Sequence, residues 1–242
     1  GDETLGHFLD GMETYGDVAD HWIVDLRGNG GGRVDAAASS VACFTGQGVT
    51  SYLRDRDGDL LPYGSDLDSQ TLYPVIVLTD AATASASELF SAAVRDGGAG
   101  IVIGSRTYGK GVAQSVFDQT LLPDYFPEGD AIKITSLRNY SSGGSTTDTV
   151  GVIPHLLVDP ALAPDVAVLL SPSSPKGDTA GYLRVDYVWR WYVDLEQALS
   201  DEDRAAFTAL LEALPDTVRV LEGTGGTEGW ADTDAASLAR QY

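Results

Sequence analysis

PVIVLTDAATASASELFSAAVRDGGAGIVIGSRTYGKGVAQ, residues 74–114, decides the fold. PVIVLTD (74–80) is a short, continuously apolar run, as expected of a strand buried on both faces. Ser85 to about Asp96 reads as a helix, and AGIVIG (99–104) as the next strand. Working outward, HWIVDL (21–26) is another apolar strand. The glycine-rich turn RGNGGG (27–32) follows it and feeds a helix over Val34–Phe44. Residues 4–20 form an amphipathic helix, with Leu5, Phe8, Leu9 and Met12 on one face. Strands alternating with helices predict an α/β core with a mainly parallel sheet. Asp57–Gly58 marks a hairpin-like turn within YLRDRDGDLLPYG (52–64). AIKITSLRNY (131–140) alternates as a strand, and 141–151 is a polar loop. A Pro/Ser/Gly stretch from Ser171 puts a soft boundary near Ser173. Residues 1–173 are then the core, and 174–242 a small, mostly helical extension with a helix start at Ser200.

The net charge of −21 argues against nucleic acid and anionic membrane surfaces, both polyanions, as partners. No apolar run approaches the roughly 20 residues that span a bilayer. Gly1 is followed directly by acidic, helical sequence, so no signal peptide is expected in this chain. Cys43, the lone cysteine, lies among small apolar residues and reads as a buried hydrophobe. No Cys, His and carboxylate cluster has metal-ligand spacing, so no metal and no cofactor are expected.

Chemistry concentrates in two places. Ser85 opens the helix after residue 80, where backbone N–H groups and the helix dipole converge and can stabilise an oxyanion. S-A-S-E is also a capping box, with Glu88 reaching back to Ser85, so Ser85 taken alone reads first as a plain N-cap. Ser87 is the competing nucleophile. Lys110, one of only three lysines, sits between glycines among uncharged neighbours that permit burial. Desolvation is what a lysine needs to act as a base near neutral pH. Gln114, four residues on, shares its face if the backbone is extended. The glycines at 28 and 30–32 let a backbone N–H approach a ligand closely, which suits an oxyanion-hole donor better than a phosphate loop lacking its GK[ST] ending. His7, His21 and His155 all lie outside the serine segment, so a serine–lysine pair is the simplest activation scheme.

These residues resemble the C-terminal processing peptidases, or tail-specific proteases. Asp25 to Gly32 matches their D-L-R-x-N-x-G-G turn. Thr83 to Glu88 matches S-A-S-A-S-E with the first serine replaced, and Gly109 to Gln114 matches G-K-G-x-x-Q. The resemblance spans roughly residues 1–160. It implies a crotonase-like core, Ser85 as nucleophile, Lys110 as general base and Gln114 as its orienting partner. It further implies an oxyanion hole from the amides of Gly31 and Ala86, with Asp96 and Glu88 in support and a cationic partner for Asp96. Protein substrates with apolar C-termini and an extracytoplasmic setting are implied too. The chain begins just before the helix that leads to D-L-R, so the family's PDZ domain and the strand before that helix are not expected here. Pro154–His155 replaces the family's usual Pro-Asp, and nothing beyond about 174 has a counterpart. A non-catalytic peptide- or ligand-binding module on the same fold is the alternative. An acyl-CoA hydratase-type enzyme shares the fold but explains neither serine nor lysine.

Overall fold

The computed structural model describes residues 2–241. Helix α1 (Asp2–Tyr15) leads into strand β1 (Trp22–Asp25) and helix α2 (Val34–Thr45). A hairpin of β2 (Gly48–Arg54) and β3 (Leu60–Ser65) follows, with Asp57–Gly58 in its loop. Three Asp55-accepted amides, from Asp57, Gly58 and Asp59, fix that loop. Next come β4 (Val75–Thr79), α3 (Ala86–Gly97), β5 (Gly100–Gly104), the long strands β6 (Val112–Asp118) and β7 (Ala131–Ser141), the short β8 (Leu156–Leu157), and α4 (Ala163–Leu169).

The central sheet, ordered β1-β4-β5-β8, is wholly parallel. Every residue of β4 and β5 is buried, because the sheet is covered on both faces. The side chains divide by parity. Val75, Val77 and Val102 join Phe44, Phe90 and Val94 on the side of α1–α3. There Phe8, Phe44 and Phe90 pack with ring centroids 5.9 to 6.2 Å apart. Ile76, Leu78, Ile101 and Ile103 face the other way. Each such fully buried side chain contributes roughly 2 kcal/mol of apolar transfer energy.

What covers that second face corrects the expectation for the C-terminal region. Residues 182–241 form β9 (Tyr182–Tyr187), β10 (Trp189–Asp194), α5 (Leu195–Ala198), α6 (Arg204–Ala213), β11 (Arg219–Gly223), β12 (Trp230–Thr233) and α7 (Ala235–Gln241). This is a four-stranded antiparallel sheet, ordered β10-β9-β11-β12, with three helices, so the region is mixed rather than mostly helical. Tyr182 to Val193 is rich in aromatic and β-branched residues at period two, which favours strands. Leu183, Val185, Trp191 and Val193 share one apolar cluster with Ile76 and Ile103. The Pro/Ser/Gly stretch at 171–181 is therefore a surface connection into the second layer. Helix α6 begins at Arg204, and Ser200 accepts the Asp203 amide (3.2 Å) in the turn before it.

A third sheet, β3-β2-β7-β6, is antiparallel. The parallel arrangement read from the sequence thus holds for the central sheet, while the other two run antiparallel.

Candidate active site

Two turns at the C-terminal ends of neighbouring parallel strands build the site, the usual place for ligands in such sheets. After β1, Asp25 holds Arg27 through a bidentate pair (2.9 and 2.7 Å), and Arg27 Nη1 donates to Pro160 O (2.5 Å). That Arg27 pairing holds the Asp25 carboxyl below its ordinary range, although partial burial opposes it. After β4, Asp80 accepts amides of Gly28 (3.0 Å), Ala82 and Thr83 (both 2.9 Å). The Thr83 hydroxyl donates to Leu26 O (2.8 Å), and Ala84 N–H donates to Asn29 O (2.9 Å). Asp80 and Thr83 thus stitch the glycine turn onto the start of α3. The sequence reading did not single them out for this, although T-D-x-x-T is the local signature of a side chain capping its own turn.

The stitching presses Gly31 against Ser85. Gly31 has φ +88°, and a Cβ there would lie 2.5 Å from Ala84 O and 2.9 Å from Ser85 Cβ. Ser85 itself is the N-cap of α3 at φ 59°, ψ −120°, a sparsely populated conformation for a residue with a side chain. Ala86 N–H, at the first helical position, has no acceptor in the helix. The Gly31 N–H is occupied, donating to Asn29 Oδ1 (2.9 Å).

Glu88 joins the serine to the lysine loop. It is fully buried, at 0% exposure. Its Oε2 accepts the amides of both Ser85 (2.7 Å) and Lys110 (2.8 Å). Its Oε1 accepts the Thr107 hydroxyl (2.5 Å) and the Gly109 amide (2.7 Å). Each amide nitrogen lies within 2.8 Å of one oxygen, so Ser85 N and Lys110 N lie within twice that distance of each other. Thr107 Oγ1 also accepts the Val152 amide (2.6 Å), and Tyr108 N donates to Thr83 O (2.9 Å). Lys110 is half-buried, and among the described residues no carboxylate lies within ion-pairing distance of it. No hydrogen bond joins the Ser85 hydroxyl, the Lys110 amine and the Gln114 amide.

Gln114 lies exposed on β6, where the register against β7 slips between Ala113 and Gln114. Lys110 precedes the strand, so strict alternation does not carry from 110 to 114. Ser87 is buried inside the first turn of α3. Asp96 has the expected cationic partner in Arg95 (2.8 Å) and also accepts the Gly143 amide (3.1 Å). Burial pushes its carboxyl up, but the Ser141 hydroxyl and Arg95 outweigh that and hold it below the ordinary range. It lies at the far end of α3 from Ser85, about 16 Å along the axis, so it ties the helix to the loop after β7.

None of the three histidines bonds to a serine of the site. His21 Nδ1 pairs with Asp20 (2.7 Å), and His7 is exposed. His155 Nδ1 accepts the Val102 amide (3.0 Å). Burial, helped by the Arg95 charge, pushes His155 down to about 4. Its folded value lies below its unfolded value of about 6.5, so the unfolded chain takes up the proton first. Stability is fully present above pH 6.5 and falls as pH drops toward 4, by up to about 3 kcal/mol. Urea unfolding at pH 7 and pH 4.5 is expected to show this loss, and His155→Asn, which keeps an acceptor for Val102, is expected to lose less.

A cavity of about 330 Å³ opens beside Gly31 and Ala86, walled by Phe8, Leu26, Ala36, Ala37, Ser40 and Phe90. Its walls are largely apolar and its volume suits one side chain or a small ligand. Among the described residues no cluster of His, Cys, Asp and Glu could hold a metal, and no helix is long and apolar enough to cross a membrane.

The parallel α/β core is shared with known peptidases. The model for peptidase family S41 matches residues 1–158, and the chain belongs to that family. It is 32% identical over 145 residues to the chloroplastic C-terminal processing peptidase of Tetradesmus obliquus, covering 59% of this chain and 29% of that protein. It is 28% identical to the carboxyl-terminal-processing protease of Synechocystis sp., covering 70% and 37%. Among solved structures, the photosystem II D1 C-terminal processing protease superposes with a TM-score of 0.55 at 27% identity, over 66% of this chain and 40% of that one. Mature CPAF, at 14% identity and TM-score 0.50, shares the fold. The chain spans about a third of the length of the curated relatives it matches.

Proposed function

We propose that this chain carries the catalytic centre of a C-terminal processing serine endopeptidase, with Ser85 as nucleophile and Lys110 as general base. The observation that carries the reading is Glu88, one buried carboxylate oxygen of which accepts the amides of both residues. The neutral Lys110 amine takes the Ser85 hydroxyl proton as Oγ attacks the scissile carbonyl carbon. The oxyanion is received by the free Ala86 N–H and, once Asn29 Oδ1 yields it, the Gly31 N–H. The Lys110 ammonium then protonates the leaving amine as the C–N bond breaks, leaving an acyl-enzyme. Water attacks that ester with Lys110 again as base, releasing the acid and Ser85. Gln114 orients the amine, and Asp96 braces α3.

The largely apolar cavity beside Gly31 and Ala86 supports a preference for apolar residues at the cleaved bond, as near apolar protein tails. The strand–helix order around the central parallel sheet supports a crotonase-like core over residues 1–173, with 174–242 covering its far face. An extracytoplasmic setting is part of this proposal and rests on family membership alone.

Cleavage of an unstructured protein with an apolar tail, followed by mass spectrometry, is expected in the wild type. It should fall at least about a thousandfold in Ser85→Ala and in Lys110→Ala. Turnover surviving in both would sink the assignment. The occupied Gly31 amide favours one second reading, a module that binds peptides without cleaving them. Retention of an intact apolar peptide by the wild type, with no product, would establish it.

A further inference from the structure

Beyond the proposed centre, β6 and β7 form a ribbon that the rest of the fold leaves open. β2 pairs with β7 only over residues 138–141. Over 131–137, β7 is bonded to β6 alone, and β6 is the edge of its sheet. This part of the hairpin is therefore two-stranded, an arrangement that is marginal by itself and gains stability from a third strand.

The side chains point the same way. Phe117 faces Ile132 and Ser115 faces Ile134, so one face of the ribbon carries Phe117, Ile132 and Ile134. Ile132 is 50% exposed and Ile134 49%. None of these three joins either apolar cluster of the core. At the tip, Leu121 and Tyr125 are exposed at 64% and 79%. Long apolar edges of this kind are normally covered or blunted, because they pair with other chains.

We propose that this ribbon binds an extended, apolar segment of the protein substrate, added as a strand at the edge of β6 with side chains on the Phe117–Ile132–Ile134 face. The reading rests on the proposed peptidase function, since the ribbon's root selects the occupant. β6 begins two residues after Lys110, whose amide is held by the same Glu88 oxygen as Ser85. A strand lying along β6 therefore has one end at the reacting bond. A second copy of the chain fits poorly, because two bodies of net charge −21 repel. Backbone hydrogen bonds at an edge take most sequences, while the apolar face selects among them.

The test pairs two peptides sharing one scissile bond, a hexapeptide and a 20-residue peptide with an apolar stretch. The variant is Ile132→Thr with Ile134→Thr, which keeps β-branching and so the strand. KM for the long peptide is expected to rise about tenfold with kcat unchanged, while the hexapeptide is cleaved as by the wild type. Alternate N-methylation of the long peptide, which removes strand-forming N–H groups, should raise KM in the wild type by a similar factor. Equal changes for both peptides, or no change for either, overturn the proposal. So does a sedimenting dimer that the double variant splits with KM unaltered. Should the wild type cleave neither peptide, fluorescence anisotropy of the labelled long peptide with Ser85→Ala separates the two ideas. Binding weakened about tenfold by the threonines keeps the ribbon and removes the peptidase; no binding removes the ribbon as well.

Discussion

Glu88→Gln is expected to lower kcat/KM by about a hundredfold or more, because Glu88 holds both Ser85 and Lys110 and a misplacement of about 1 Å between reacting groups costs on that order. The carboxylate receives four donors and faces no acceptor: Ser85 N and Lys110 N on one oxygen, Thr107 Oγ1 and Gly109 N on the other. An amide of the same size can accept at one oxygen only. Its NH₂ group must then face two of these donors; the Thr107 hydroxyl can turn to accept, but at least one buried N–H is left unpaired. That cost falls on stability as well, at about 2–4 kcal/mol. The two effects separate by measurement. Urea unfolding gives the stability loss, and steady-state kinetics under fully folding conditions gives the catalytic one. Glu88→Asp keeps the charge on a shorter arm and should restore part of the stability but little of the rate. A Glu88→Gln enzyme with wild-type kcat would show that Ser85 and Lys110 hold their places without this carboxylate.

Glu88 also shows what was legible in the sequence. S-A-S-E announces a capping box, and the Glu88 side chain does reach back to the Ser85 amide. The reach to Thr107, Gly109 and Lys110 was not legible, because it depends on β5 returning the chain beside α3. The same holds for Asp80 and Thr83, which bind the glycine turn across neighbouring strands. The parallel core was readable because β4 and β5 are apolar throughout, a pattern written locally by double burial. The C-terminal sheet was harder. Trp189, Trp191 and Val193 alternate as a strand, but the antiparallel pairing depends on the tight turn at Val188, with φ 59°, which sets Tyr187 opposite Trp189. A β-branched residue in that conformation is uncommon enough that sequence patterns do not anticipate it. Lys110 and Gln114 fall between these cases. Their spacing suggested a shared face, yet the slipped register at Ala113 and Gln114 depends on the pairing with β7.

Gly31→Ala is expected to cost about a hundredfold to a thousandfold in kcat, the range seen when one oxyanion donor is lost. The added Cβ would meet backbone on two sides, 2.5 Å from Ala84 O and 2.7 Å from Ala86 N, and neither atom can move without shifting Ser85. The residue also sits at φ +88°, where a side chain adds strain of about 1 kcal/mol. The turn must therefore draw away from the start of α3, carrying the Gly31 N–H out of line with the one on Ala86. Substrate contacts in the cavity along Phe8 and Phe90 are untouched, so KM should change far less than kcat. Gly32→Ala is the matched control, since a Cβ there meets nothing within 4 Å and its φ lies outside the left-handed region. That variant should keep near wild-type rates and stability. Equal rates for the two variants would mean that the reacting carbonyl does not lie against Gly31, and the oxyanion would then have to be received by Ala86 and a group outside the glycine turn.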